Sequence, residues 1–110
     1  MILRAAAFVL AFAAPAFAET QVQNMTYICD RDVVVPVVYV NAPDTSLAVI
    51  YVEGGQYLLY SEPAASGARY GWPSDGSSYV WWTKGDDATL YWKDGSAGSE
   101  TVILSGCKPG

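Results

Sequence analysis

The chain has 110 residues, with six Lys and Arg against eleven Asp and Glu, two Cys and no His. Without histidine the commonest general base and the commonest neutral metal ligand are missing, and two thiols cannot build a four-thiolate zinc site. No glycine run of the GxGxxG or GxxxxGK[ST] type is present to cradle phosphate, so neither an enzyme nor a bound cofactor or metal is expected. The acidic balance disfavours nucleic acid and anionic membrane surfaces and favours basic partners.

Residues 1–18 combine an early cation (Arg4), an apolar run from Ala5 to Ala14, and Ala16-Phe17-Ala18, a small-x-small cleavage pattern. Such a segment reads as a secretory signal peptide and is too short to span a bilayer comfortably. The expected mature domain is 19–110. It loses Arg4 and all three Phe, which leaves an acidic domain whose aromatics are 4 Trp and 8 Tyr, every one with a polar tip. Glu19, not Cys, follows the cleavage point, so no lipid anchor is expected and a soluble periplasmic protein, monomeric or weakly dimeric, is the reading. In an oxidising compartment Cys29 and Cys107 are expected to pair.

The mature sequence has no helical periodicity. It has short apolar runs broken by turn residues, which predicts strands over 25–29, 33–40, 47–52, 56–61, 68–72, 78–83, 88–92 and 101–104. The second is dense in β-branched Val, and Pro36 within it predicts an edge or a bulge. Gly54-Gly55 reads as a tight hairpin turn and 84–87 as a second. Longer polar connections are expected at 72–77 and 93–99. Eight antiparallel strands predict an all-β small barrel closed by one disulfide, with a two-sheet sandwich as the alternative. Up-and-down order puts the 62–67 loop and the 84–87 turn at one end, roughly 10 Å apart, and 72–77 at the other. The same order sets Cys29 and Cys107 at opposite ends. Either the strand count is off by one, or Ser105-Gly106 bends the tail back beside the first strand; the bend is the preferred reading.

Two stretches are distinctive: Ala65-Ser66-Gly67-Ala68-Arg69-Tyr70 and Trp81-Trp82-Thr83-Lys84-Gly85-Asp86-Asp87-Ala88-Thr89-Leu90. With Tyr27-Ile28-Cys29-Asp30 and Gly106-Cys107-Lys108 they resemble the MliC/PliC family, bacterial envelope inhibitors of c-type lysozyme. The resemblance covers residues 27–108. It implies a small antiparallel barrel that plugs the lysozyme cleft, with Ser66 and Lys84 as the inhibitory residues and Gly67, Arg69, Tyr70, Thr83 and Gly85 supporting them. The segment 71–79 departs from the family by being a few residues longer.

The chemistry suits that expectation. A serine hydroxyl both donates and accepts, so Ser66 can serve two carboxyl groups of unlike protonation; Lys84 carries a compact cation on a long stem. Glycines at 67 and 85 allow close backbone approach. Arg69 and Tyr70 read more simply as structural, and of the adjacent Trp81 and Trp82 one belongs in the core and the other on the surface. Two rival readings remain: a barrel whose Trp and Tyr line a sugar-binding lumen, and a diverged envelope module that binds another basic protein.

Overall fold

A computed structural model describes residues 19–110; the proposed leader at 1–18 lies outside the described residues. Eight strands form a closed antiparallel barrel in sequence order. They are β1 (Gln21–Ile28), β2 (Val34–Asn41), β3 (Ser46–Val52), β4 (Gly55–Glu62), β5 (Ala68–Gly71), β6 (Ser78–Lys84), β7 (Asp87–Asp94) and β8 (Ser99–Pro109), with a short 3-10 turn at Asp30–Asp32. All eight expected strands are present, and the barrel rather than the sandwich is formed.

The interior follows from alternation. Val35, Val37 and Tyr39 of β2 and Ala48, Ile50 and Val52 of β3 are buried while their neighbours are more exposed, the period-two signature of a half-buried strand. Trp81, Ile50, Leu90, Val35 and Val37 fill the centre. With no Phe among the described residues, the core buries aromatic rings that carry polar atoms, and three of them bond one another. The Tyr27 and Tyr39 hydroxyls lie 2.8 Å apart, and Trp81 Nε1 donates to Tyr39 Oη at 2.8 Å. Burial, then the Tyr27 hydrogen bond, pushes the Tyr39 phenol well above its ordinary pKa. This packed interior removes the sugar-binding lumen.

Pro36 pairs with Thr26 on the β1 side, but the β2–β3 ladder begins only at Val37, so the proline sits where β2 has a single neighbour. The first hairpin turn is displaced by one residue from Gly54-Gly55. Val52 pairs with Gly55, and Glu53 (φ 50°) and Gly54 (φ 79°) take the two central positions, since the β3–β4 register allows only two residues between the strands.

The cysteines are bonded, and the strand count stands. The preferred bend at Ser105-Gly106 is not what joins them. β8 runs on through Ser105 and Gly106 to Pro109, and its register against β7 slips twice, once between Leu90 and Tyr91 and once between Ala88 and Leu90. Gly106, at φ +62°, takes up the second irregularity within a continuous strand. A closed barrel also requires its strands to be staggered. The stagger carries the last residues of β8 to the last residues of β1, where Tyr27 pairs with Pro109 and Ile28 with Lys108. Cys29 and Cys107 fall in the next register position. Flush strand ends, not the strand list, misplaced them.

Candidate functional site

Three connections share one end of the barrel: 42–45, 63–67 and the tight turn at 85–86. The β5–β6 register pairs Ala68 with Thr83. Continued by one and two residues, it sets Gly67 beside Lys84 and Ser66 beside Gly85. The loop and the turn are therefore immediate neighbours across adjacent strands, closer than the spacing of roughly 10 Å expected from sequence. Ser66, Lys84 and Gly85 are all exposed.

Backbone constraints fix this proximity. Gly67 has φ +66°, and a Cβ there would collide with the Thr83 carbonyl oxygen, so only glycine lets the loop cross β6 so tightly. Gly85, at φ +59° with open space around it, answers instead to the turn: it occupies the first of two central positions between Lys84 and Asp87. Thr83 Oγ1 donates to the Ala68 carbonyl at 3.3 Å.

Trp82 does more than the surface position expected of one tryptophan of the pair. Its neighbour Trp81 is fully buried, and alternation turns Trp82 to the outer face, half-buried. There its indole Nε1 donates to the Ser66 carbonyl at 2.8 Å. The Lys84 ammonium lies 4.3 Å from the Trp82 ring centroid and the Arg69 guanidinium 5.1 Å. One indole thus ties down the backbone of the serine and holds the lysine ammonium over its face, each cation contact worth about 0.5–1 kcal/mol at an exposed site. The alternation of Trp-Trp marks an outward indole in the sequence; its bond to the Ser66 carbonyl depends on tertiary pairing and is not legible there.

Arg69 is a brace. Its Nε donates to Glu62 Oε1 at 2.5 Å, and its two terminal nitrogens donate to the two carboxylate oxygens of Glu100. The guanidinium joins both sides of the loop, through Glu62 on β4, to β8 on the far side of β7. The pairing with Glu100, ahead of that with Glu62, raises the Arg69 pKa against an opposing desolvation, and Arg69 in turn holds the Glu100 carboxyl below the usual range. Tyr70 is buried and packs its ring 5.6 Å from that of Tyr39, so it anchors the strand from inside. Burial raises its pKa.

Lys84 is left available. Among the described residues it enters none of the ion pairs; Asp87 of the same turn approaches Lys108 instead, at 3.7 Å, in an exposed contact of little energetic weight. The arrangement is an exposed hydroxyl and an exposed ammonium on one braced rim. No group of three or more His, Cys, Asp or Glu able to hold a metal occurs among the described residues, nor any helix long and apolar enough to cross a membrane.

Residues 27–98 match the family model described as membrane-bound lysozyme-inhibitor of c-type lysozyme, MliC. A membrane-bound lysozyme inhibitor of C-type lysozyme from Pseudomonas aeruginosa is 40% identical over 86 residues, 76% of this chain and 65% of that protein. A protein of the same description from Cupriavidus necator is 42% identical over 69 residues, 63% of this chain and 52% of its own length. The chain therefore spans somewhat less than two thirds of these relatives. In three dimensions it is similar to Pseudomonas aeruginosa MliC crystallised in complex with hen egg white lysozyme (TM-score 0.63, 32% identity, 89% of this chain and 91% of that one). It is also similar to PliC-St, a periplasmic lysozyme inhibitor of C-type lysozyme from Salmonella typhimurium (TM-score 0.68, 26% identity, 82% and 99%).

Proposed function

Because the chain belongs to the MliC family of lysozyme inhibitors, we propose that it binds c-type lysozyme and blocks the catalytic cleft with the rim that carries Ser66 and Lys84. The observation that supports this reading is that Ser66 and Lys84, both exposed, lie on neighbouring strand ends and both contact Trp82, Ser66 through its backbone carbonyl and Lys84 through its ammonium. Lysozyme works with two carboxyl groups, one kept protonated as acid and one ionised. The Ser66 hydroxyl accepts from the first and donates to the second, and the Lys84 ammonium reaches the ionised one. Among the described residues Lys84 is in none of the ion pairs, so no intramolecular ion pair is broken when its charge engages a partner. Such a desolvated pair couples by about 1.5–7 kcal/mol, partly offset by desolvation.

Rigidity supports the same reading. A loop already held by an indole, a glycine crossing and a three-way ion pair loses little conformational entropy on docking. The acidic surface steers the chain toward a strongly basic enzyme and makes association salt-sensitive. Export to the cell envelope, with cleavage after Ala18, is part of the proposal; it is supported by the membrane-bound and periplasmic descriptions of the relatives.

The test is a lytic assay of residues 19–110 against hen lysozyme, with goose-type and phage-type enzymes as controls. Ser66→Ala and Lys84→Ala should each weaken inhibition by tenfold or more while the thermal midpoint stays put. Full inhibition by the double variant refutes the residue assignment, and no binding at low salt refutes the target and favours some other basic partner.

A further inference from the structure

At the opposite end of the barrel the wall is incomplete. β5 stops at Gly71 because Pro73, with no N–H and a restrictive effect on the residue before it, cannot extend the ladder. β5 pairs with only Tyr60–Glu62 of β4 and Trp81–Thr83 of β6. The stretches Gly55–Leu59 and Ser78–Val80 therefore have no strand between them. The 72–77 segment instead folds away over the turn after β7: Gly95 N donates to Ser77 Oγ at 3.0 Å, and Lys93 Nζ to the Ser74 carbonyl at 3.5 Å.

The opening is a groove of about 540 Å³ whose main surfaces are Tyr57, Leu58, Trp72, Tyr79 and Trp92. Both tryptophans keep large exposed areas, 43% for Trp72 and 39% for Trp92, in a chain that buries Trp81 completely. Tyr57 lies 4.7 Å from Tyr79, and Tyr79 lies 5.0 Å from Trp92, a continuous aromatic run. The remaining lining consists of Gln56, Leu59, Ser77 and Ser78, so in an acidic protein the groove itself contains no charged residue. Ser78 Oγ is buried in this wall with no hydrogen-bond partner among the described residues, an orphan of the kind that a native structure normally satisfies.

Three kinds of occupant can be weighed. A peptide strand added between β4 and β6 would need the space that the contact of Tyr57 with Tyr79 already closes. A cationic ligand would meet only the Glu53 carboxylate, already engaged by the Tyr79 hydroxyl at 2.8 Å, and an anionic one no positive side chain in the lining. A neutral sugar chain meets its requirements here: flat aromatic faces for the apolar C–H faces of pyranose rings, with uncharged hydroxyl and amide groups at the sides for the sugar hydroxyls. We propose that this groove is a binding site for a neutral oligosaccharide, stacked on Trp72 and Trp92 and hydrogen-bonded through Gln56 and Ser77. It lies at the end of the barrel opposite the Ser66 and Lys84 rim.

The test uses isotope-labelled 19–110 without lysozyme, titrated with chitotriose, cellotriose and maltotriose and followed by amide and indole NMR signals. At least one sugar should shift resonances of 56–59, 77–79 and the Trp72 and Trp92 indoles, leaving those of Ser66 and Lys84 in place. Trp92→Ala and Trp72→Ala should each weaken that binding about three- to tenfold, the usual worth of one aromatic stacking contact. Trp92→Tyr, which keeps a ring, should restore most of it and guards against misfolding of the alanine variant. The proposal is overturned by no shift with any of the three sugars at millimolar concentration, or by shifts clustered elsewhere. It is equally overturned by self-association in sedimentation that the tryptophan variants abolish, since a second copy would then be the occupant. Because lysozyme is absent, the result stands apart from the inhibitor reading.

Discussion

The two ends of the barrel solve different problems with the same strands. At the rim of Ser66 and Lys84 the chain is over-determined: a glycine crossing, an indole bond to a backbone carbonyl and an arginine held by two carboxylates fix two small polar tips. At the Trp72 end a shortened strand leaves the wall open, and wide aromatic faces lie exposed on either side of the gap. Position is what the first region supplies; area is what the second supplies. A site that must place two atoms invests in hydrogen bonds behind the surface, whereas a site that offers contact area needs only that a neighbouring element stop short.

The contrast can be broken most severely through what both ends share. Opening the Cys29–Cys107 bond, which closes a loop of 78 residues, should cost about 4–5 kcal/mol in the chain-entropy account and lower the thermal midpoint by roughly 20 °C or more. Calorimetry with and without reductant reads this directly, and both regions should fail together.

A sharper cut is Gly67→Ala. The new Cβ strikes the Thr83 carbonyl in a backbone conformation unfavourable to alanine, a strain of about 1–3 kcal/mol. The loop should shift, so inhibition should fall while the NMR signals of the Trp72 end hold. If inhibition survives unchanged, the tight crossing has no part in presenting Ser66.

Arg69→Ala follows, at about 1 kcal/mol once solvent screening of partly exposed carboxylates is allowed for. Its signature is in the pH dependence. The Glu100 carboxyl is depressed by Arg69, so its contribution is present above the ordinary carboxylate range and is lost as pH falls through its folded-state pKa. The wild-type chain should lose stability on that acid limb, and Arg69→Ala should flatten it in midpoint-against-pH measurements.

The smallest effect is expected at the other end. Asp94 caps the turn after β7 by accepting from the Ser96 N–H and hydroxyl and the Ala97 N–H, which also lowers its pKa, the Ser96 side chain first. Asp94→Ala should loosen that turn and the 72–77 segment docked on it, with a smaller midpoint shift than Arg69→Ala and no change in inhibition.

How much of this the sequence discloses depends on the range of the interactions. The eight strands are legible because β-branched alternation and turn residues are local signals, and Val35, Val37 and Tyr39 point inward as that alternation requires. Strand ends are less so. β1 begins at Gln21 rather than 25, since Gln21, Gln23 and Asn24 are polar positions whose pairing with β2 comes from register and not from hydrophobicity. β8 runs five residues past the expected Leu104 because Ser105-Gly106 imitates a turn while acting as a bulge. The proposed roles of Ser66 and Lys84 rest on family resemblance, and the fold brings their positions to neighbouring strand ends. The bracing of Arg69 by Glu100 links residues separated by two intervening strands, and the groove exists only because β5 is short; neither leaves a pattern along the chain.

Besides the sulfur bridge and the Gly110 N–H to Thr26 carbonyl bond at 3.0 Å, the seam between β1 and β8 has two ladder pairs. Every other neighbouring pair of strands is zipped by three or more, so the cylinder is a ribbon of eight strands fastened at one clasp. A reduced polypeptide can hold most of that ribbon and still lie open, with both outer strands unprotected. Final closure then waits on an oxidant: until the two thiols are joined, the first and last strands are the pair most free to part.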